Sequence, residues 1–274
     1  MTHPSSGSPV DDTAHAHDAE ILSARWPTSH SQQFEGNRLL QLAPPAEYLR
    51  LTPHLETVRL TRRQVLYGPN EPIRHVYFPQ TGVLSAISHL HADRAVEVGT
   101  IGNEGMLGLP VFLMSDRAPL EALVHVPGVA KRVAASTFRE LLSDCSEFHM
   151  VLHRYTLTFL TQVAQGAACN RVHSITERCA RWLLMTHDRM QADRFPLTQD
   201  LLAVMLGARR PGVSIAAASL QEQGLIRYTR GRIAITDRKG LEAAACECYG
   251  IVRQHLDRML PPEEGTAPTP VAAS

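Results

Sequence analysis

Residues 198–237 read TQDLLAVMLGARRPGVSIAAASLQEQGLIRYTRGRIAITD. Thr198 predicts a helix N-cap, with Asp200 in the first turn, where the positive end of the helix dipole favours an acid. That helix runs through Leu201, Leu202, Met205 and Leu206 and stops at Gly207, because glycine takes the left-handed conformation of a tight turn without steric cost. A second helix follows at once. Pro211 is tolerated in its first turn, where no backbone N–H is needed. Val213, Ala216, Ala217 and Leu220 give it one apolar face, and Gly224 ends it. LIRYTRGRIAI then offers two short β-prone runs joined at Arg230-Gly231, the pattern of a hairpin.

Ala203, Gly207 and Val213 are spaced by four and then six residues. A small residue lets two helices cross closely, glycine makes the turn between them, and valine fills their angle, as a helix-turn-helix requires. With the hairpin the segment predicts a winged helix. Residues 198–240 hold seven basic residues (Arg209, Arg210, Arg227, Arg230, Arg232, Arg238, Lys239) against Asp200, Glu222 and Asp237. Arginines at the start of the second helix and on the hairpin lie where a groove and its flanking phosphates would be, which points to DNA. The plainer reading is a winged helix that packs only against protein.

The whole chain of 274 residues balances 27 basic against 27 acidic residues, and Lys131 and Lys239 are its only lysines. Its length fits two modest domains, and 44% hydrophobic residues can form ordinary cores. No apolar run approaches the roughly 20 residues of a membrane span. The polar N-terminus lacks a signal-peptide core, so the expected location is cytoplasmic. Five cysteines (Cys145, Cys169, Cys179, Cys246, Cys248), odd in number and without a repeated spacing, argue against a disulfide framework. Cys246 and Cys248 fall on one predicted helix, where residues two apart point about 200° away from each other. They read as buried, reduced core cysteines rather than metal ligands. No metal or cofactor is expected.

Residues 1–36 and 261–274 have the composition of disordered tails, and the four histidines of the first (His3, His15, His17, His30) are irregularly spaced. Asn37 is a candidate cap for a short helix. Across 37–146, the runs VRL, QVLYG, HVYFP, GVLSAIS, AVEVGTI, EALVHVPG and AKRV alternate with turn residues, the pattern of an antiparallel β-roll or jelly roll with room for one small ligand. Inside it, residues 99–108 (GTIGNEGMLG) bring glycines together. Backbone N–H groups of Gly102, Gly105, Met106, Gly108 and Leu109 could converge on an anion with Arg117, although glycine-rich turns also serve purely steric needs. A long helix over 147–173 shows two apolar faces. Leu152, Tyr155, Phe159, Gln162 or Val163, Gly166 and Cys169 line one, and Leu157, Leu160, Ala164 and Ala167 the other, which favours a homodimer over a single buried helix. Ser174-Ile175-Thr176-Glu177 is a capping box that restarts the helix and marks a hinge. A loop ends at Phe195-Pro196. The winged-helix domain spans 174–260, and Asp237 caps one last helix through Met259. The fold class is α+β.

A β-roll, a long helix, a hinge and a C-terminal winged helix, in that order, resemble the Crp/Fnr superfamily of bacterial transcription regulators. The resemblance covers about residues 37–258 and rests on HVYFPQTGVLS, VEVGTIGNEGMLG, AQGAACNRVHSITERCARWLLMTHDR, LTQDLLAVMLGARR and ACECY. It implies a homodimer whose second helices enter successive major grooves of an inverted repeat about 34 Å apart, and RNA polymerase as a partner. It also implies that Arg210 reads a guanine, and that Thr198, Arg209, Pro211, Gly212, Ser214, Ile215, Arg230 and Arg232 contact phosphates or bases. Pro211 stands where a glutamate is common, and Ile215 where a second arginine is. In the family's cyclic-nucleotide pocket Gly108 and Arg117 match, but Leu109 replaces the ribose-binding glutamate, so cyclic AMP in the usual mode is not expected. The iron–sulfur branch uses an N-terminal cysteine cluster, whereas the first cysteine here is Cys145.

Two other classes compete. His89-x-His91 with Glu97 has the residue types of a cupin-like metal enzyme, but the spacing misses the cupin pattern and the histidine expected after Pro127-Gly128 is absent. A ligand-binding adaptor with a protein-contacting winged helix would lack salt-dependent DNA affinity. No Ser/His/Asp constellation or P-loop is visible, and no catalysis is expected.

Overall fold

A computed structural model describes residues 36–90, 94–190 and 192–261. The two expected tails lie outside these apart from Gly36 and Pro261, as does His91. Described order starts with the cap at Asn37. Its Oδ1 accepts from the N–H of Leu39 and Leu40, while its Nδ2 donates to the carbonyls of Pro79 (2.9 Å) and Gly105 (2.7 Å). A buried side chain thereby fixes α1 (Arg38–Gln41) to the roll that follows. After α2 (Pro45–Leu51), every one of the seven β-prone runs becomes a strand: β1 (Glu56–Leu60), β2 (Val65–Tyr67), β3 (His75–Pro79), β4 (Val83–Leu90), β5 (Arg94–Ile101), β6 (Glu121–Val126) and β7 (Gly128–Ala134). They form two antiparallel sheets, ordered β1-β7-β3 and β2-β6-β4-β5. Short α3 (Leu109–Phe112) and α4 (Ala135–Leu142) flank them.

The roll closes on a core that includes Phe78, Phe138 and Phe148, with the first two rings edge-to-face at 5.9 Å. The long helix α5 (Ser146–Val172) packs Leu152, Tyr155, Gln162 and Cys169 inward, on the stripe expected from the sequence. Its 27 residues span about 40 Å. The other stripe faces outward, with Leu157 and Leu160 exposed.

The chain breaks after Val172, and the capping box starts the next helix. The N–H of Ser174 donates to Glu177 Oε2 at 2.8 Å, and the N–H of Glu177 donates back to Ser174 Oγ at 3.3 Å. Helix α6 (Ile175–Met190) then enters a second core shared with β8 (Arg194–Pro196), α7 (Gln199–Leu206), α8 (Arg210–Glu222), β9 (Ile226–Thr229) and β10 (Arg232–Ile235). Phe195-Pro196, expected in a loop, instead lies in β8, which pairs with β10 and gives the sheet order β8-β10-β9. A three-residue strand exists only because a distant partner receives it, and no local pattern announces that.

A second departure concerns the C-terminus. Asp237 does cap α9 (Arg238–Ala244), with Oδ1 accepting from the Gly240 N–H at 3.0 Å. The single helix expected from there to Met259 is broken, however: Ala245 is extended (ψ 154°) and α10 (Cys248–Met259) starts anew. Cys246 and Cys248 therefore flank a kink and do not diverge around one helix axis. Helix α10 turns back along α5. Leu260 is fully buried in the core of the roll, with Leu256 and Met259 packed against it. Arg38 pairs with Asp257 at 3.3 Å beside them. Among the described residues no single helix is long and apolar enough to cross a membrane.

Candidate nucleic-acid interface

Thr198 Oγ1 accepts the Leu201 N–H at 3.3 Å and so starts α7, as its position predicts. Gly207 ends that helix in the left-handed region, with φ at 55°. The chain then turns by 104° into α8, within the range of helix-turn-helix units. Val213 fills the angle between the helices and is fully buried. Gly212 lets α8 abut α6, since a Cβ there would stand 2.9 Å from Ile175 Cδ1. The hairpin turn places both Arg230 (φ 45°) and Gly231 (φ 75°) in the left-handed region, as a two-residue type I′ connection demands. A Cβ on Gly231 would come within 3.6 Å of Thr198 Cγ2, so the tip of the wing sits beside the start of α7.

Arg209, Arg210, Pro211 and Ile215 are exposed along the first turns of α8, and Arg227, Arg230 and Arg232 on the hairpin. Arg210 Nε lies 3.2 Å from Asp200 Oδ1, but the two side chains are 64% and 71% exposed. A surface pair of this kind contributes at most about 1 kcal/mol, so the guanidinium remains free to exchange the acid for a base edge or phosphate. Ser214 is less free: its Oγ is 2.8 Å from Gln199 Oε1 and 3.0 Å from the Arg210 carbonyl. Ile215, 71% exposed, presents an apolar surface beside Arg210. The positive end of the α8 dipole adds to the field of the arginines. Arg238 does not join this face, although it counts among the basic residues of the segment. It points inward to Asp188 (2.6 Å), Glu242 (3.0 Å) and the Tyr249 hydroxyl (2.7 Å).

The β-roll side differs more from the sequence reading. The glycines of 99–108 serve packing. A Cβ on Gly99 would collide with Phe159, one on Gly102 with Arg189, and one on Gly105 with the Tyr155 ring. The Gly102 N–H donates to Glu104 Oε1 at 3.1 Å, a carboxylate of the same loop. Met106 is buried, and its carbonyl accepts the Tyr155 hydroxyl at 2.9 Å. Gly108, with φ at 103°, turns the chain into α3, whose first residue is Leu109. Arg117 is exposed and donates to the Asn70 carbonyl at 2.7 Å. Two clefts on the roll are lined by none of Gly102, Gly105, Met106, Gly108, Leu109 and Arg117. The larger, about 400 Å³, is lined by Leu66, Tyr67, Glu71, Pro72, Arg74, His75 and Tyr77.

Polar contacts invisible to local sequence reading join the roll to α6. Arg189 meets Glu104 at 2.8 Å. Trp182 Nε1 donates to Glu97 Oε2 at 2.6 Å. Burial pushes the Glu97 carboxyl up to about 7 against the hydrogen bonds from Ser85 and Trp182. His125, edge-on to Trp182 at 5.0 Å, is driven down to about 3 by burial and by the Arg62 charge. His89, which the cupin reading paired with Glu97, instead faces Glu121 at 3.1 Å.

The described chain thus joins a β-roll, a long helix and a winged helix-turn-helix with an exposed arginine face. Residues 177–244 match the Crp-like helix-turn-helix domain. The fold is shared with FixK2 from Bradyrhizobium japonicum (19% identity, 70% of this chain and 98% of that one, TM-score 0.61). It is also shared with the c-di-GMP-responsive global regulator CLP of Xanthomonas campestris (18% identity, 70% and 99% covered, TM-score 0.58). A third likeness is to a Crp-family transcriptional regulator from Thermus thermophilus (19% identity, 69% and 96% covered, TM-score 0.58). No curated protein sequence matches the chain. Residues 177–244 therefore form a Crp-like helix-turn-helix domain, and the chain shares its fold with these Crp/Fnr-type proteins.

Proposed function

We propose that the protein is a homodimeric transcription regulator that reads an inverted DNA repeat through α8. The observation that carries this reading is the set of exposed arginines at the start of α8 and on the hairpin, Arg209, Arg210, Arg227, Arg230 and Arg232, on one small winged helix. Arg210 reads a base edge in the major groove, worth about 1–3 kcal/mol of discrimination. The wing arginines hold flanking phosphates and set register. The outward stripe of α5, with Leu157 and Leu160 exposed, supports dimerisation along that helix. Two copies would place two α8 helices in successive grooves. The β-roll is the sensor. Leu109 and the close-packed glycine loop both speak against cyclic AMP in the usual mode.

The test is selection of random duplex DNA on the purified protein without added effector, repeated with Arg210→Ala. An inverted repeat should emerge from wild type and be lost or relaxed in the variant. Only salt-sensitive binding without a repeat, from the wild-type protein, would overturn the reading.

A further inference from the structure

The four side chains that gather at the hinge belong to neither the DNA-reading face nor the roll. Cys169 stands in the last turn of α5, and His173 four residues on caps its end in extended conformation. Cys246 lies in the kink after α9, and Cys248 opens α10. The three sulfurs and an imidazole nitrogen all lie within 4.8 Å of one another. Cys169 Sγ is 3.5 Å from Cys246 Sγ, and Cys248 Sγ is 3.6 Å from His173 Nδ1. Two sulfurs on one tetrahedral zinc, each bonded at about 2.3 Å, stand about 3.8 Å apart. The cluster already has that size.

The surroundings are those of a ligated ion. His173 Nε2 faces Glu247 Oε2 at 3.2 Å, which fixes the ring and leaves Nδ1 directed at the sulfurs, as a carboxylate does behind a metal-bound histidine. Glu247 sits between the two C-terminal cysteines, so Cys246-Glu247-Cys248 supplies two donors and the group that orients a third. Gln165 Nε2 donates to Cys248 Sγ at 3.1 Å, a contact suited to a thiolate. Cys248 also opens the N-terminus of a 12-residue helix, where the dipole favours an anionic sulfur.

The charge balance points the same way. Arg178 and Arg181 are only 7% and 8% exposed, and the Nε of each has no hydrogen-bond partner. Neither forms an ion pair among the described residues. Burial raises the Cys169 and Cys246 thiols, and the nearby charges of Arg181 and Arg178 oppose it, Arg181 at Cys169 and Arg178 at both. Arg178 donates to the Leu206 carbonyl and Arg181 to Met185 Sδ, but beside three neutral thiols these two buried cations have no anionic partner among the described residues, which is costly. Three thiolates around a divalent ion carry one net negative charge and offset part of it.

We propose that Cys169, His173, Cys246 and Cys248 bind a single zinc ion in tetrahedral geometry. Soft thiolates with one imidazole select zinc among common ions, and donors this close surround one ion rather than the spread irons of an iron–sulfur cluster. Three thiol protons leave to solvent as the ion binds. The ion pins the joint between α5 and α6 to the joint between α9 and α10.

Zinc should be quantified in the full-length protein purified under reducing conditions from zinc-supplied cells, then in Cys246→Ser and in Cys179→Ala, whose cysteine lies outside the cluster. About one zinc per chain in wild type and Cys179→Ala, with at least a tenfold loss in Cys246→Ser, is the expected result. If Cys246→Ser does not fold, replacing zinc with cobalt in wild type decides the matter: thiolate-to-cobalt charge-transfer bands are expected. Wild-type protein that is folded yet holds no zinc and gives no such bands, that holds iron instead, or whose Cys169 and Cys246 form a disulfide would overturn the proposal.

Discussion

Arg189 Nε donates to Glu104 Oε1 at 2.8 Å, and the two side chains are 9% and 11% exposed. The pair is the charged rivet between the glycine loop of the roll and the hinge helix. Arg189 also donates to the Met185 carbonyl (2.7 Å) and reaches Gln162 Oε1 on α5 at 3.4 Å, so one guanidinium touches three elements. Glu104→Ala strands that cation and should destabilise the protein by about 3–5 kcal/mol. Glu104→Ala with Arg189→Met should recover most of the loss, because a buried pair replaced by apolar groups is often neutral. Urea denaturation of the two single variants and the double variant measures the coupling. Additive losses would show that the contact is incidental.

Two buried groups should give stability an unusual pH profile. Glu97, raised to about 7 in the fold, binds more protons folded than unfolded between pH 4.5 and 7, so its contribution falls as pH rises through that window. His125, lowered to about 3, binds fewer protons folded than unfolded between pH 3 and 6.5, so its contribution is lost as pH falls through that window. Over their shared range the two slopes oppose and largely cancel. Glu97→Gln keeps an acceptor for Trp182 but removes one slope. Its stability should therefore climb from pH 4.5 to 6.5 by about 1 kcal/mol or more per unit where wild type stays flat. Thermal melts at a series of pH values make the comparison.

Removing the wing arginines should weaken DNA binding without changing which sequence is chosen. Arg230→Ala and Arg232→Ala are each expected to reduce the slope of log affinity against log salt by about 1, the signature of one lost phosphate contact. Titrations of a selected duplex at several salt concentrations report it, and an altered base preference would reassign these side chains to base reading.

Leu160 is 60% exposed on the outer face of α5. Leu160→Glu should leave the circular dichroism of the chain unchanged and convert a dimer into a monomer in sedimentation velocity. A dimer that persists would place the self-contact elsewhere.

The features that can be read from the sequence are those whose cause is local. Thr198 caps, Gly207 turns left-handed, and Ser174 and Glu177 exchange hydrogen bonds within four residues of one another, so their roles are written in adjacent letters. The seven roll strands are equally legible because turn residues bracket each run. What stays hidden depends on partners far away in the chain. Glycines 102 and 105 look like an anion loop until Arg189 and Tyr155, more than 45 residues later, are seen to fill the space above them. The break at Ala245 is illegible because alanine, glutamate and cysteine carry no stop signal. A helix continued through them turns Cys246 and Cys248 apart. Arg238 belongs to the basic face by residue type alone, while Asp188 and Tyr249 draw it inward.

The return of α10 along α5 has a mechanical consequence. A reading head joined only through the hinge would be a flag on a pole, free to sample many orientations. Here the segment from Ile175 to Ala244 leaves α5 at one end, and the chain comes back to α5 through α10 at the other. A body hung at two points has fewer ways to turn than one hung at a single point. Shortening the chain before Leu260 would release the second fixture and leave the segment held by the first and by the contacts of Trp182 and Arg189 with the roll.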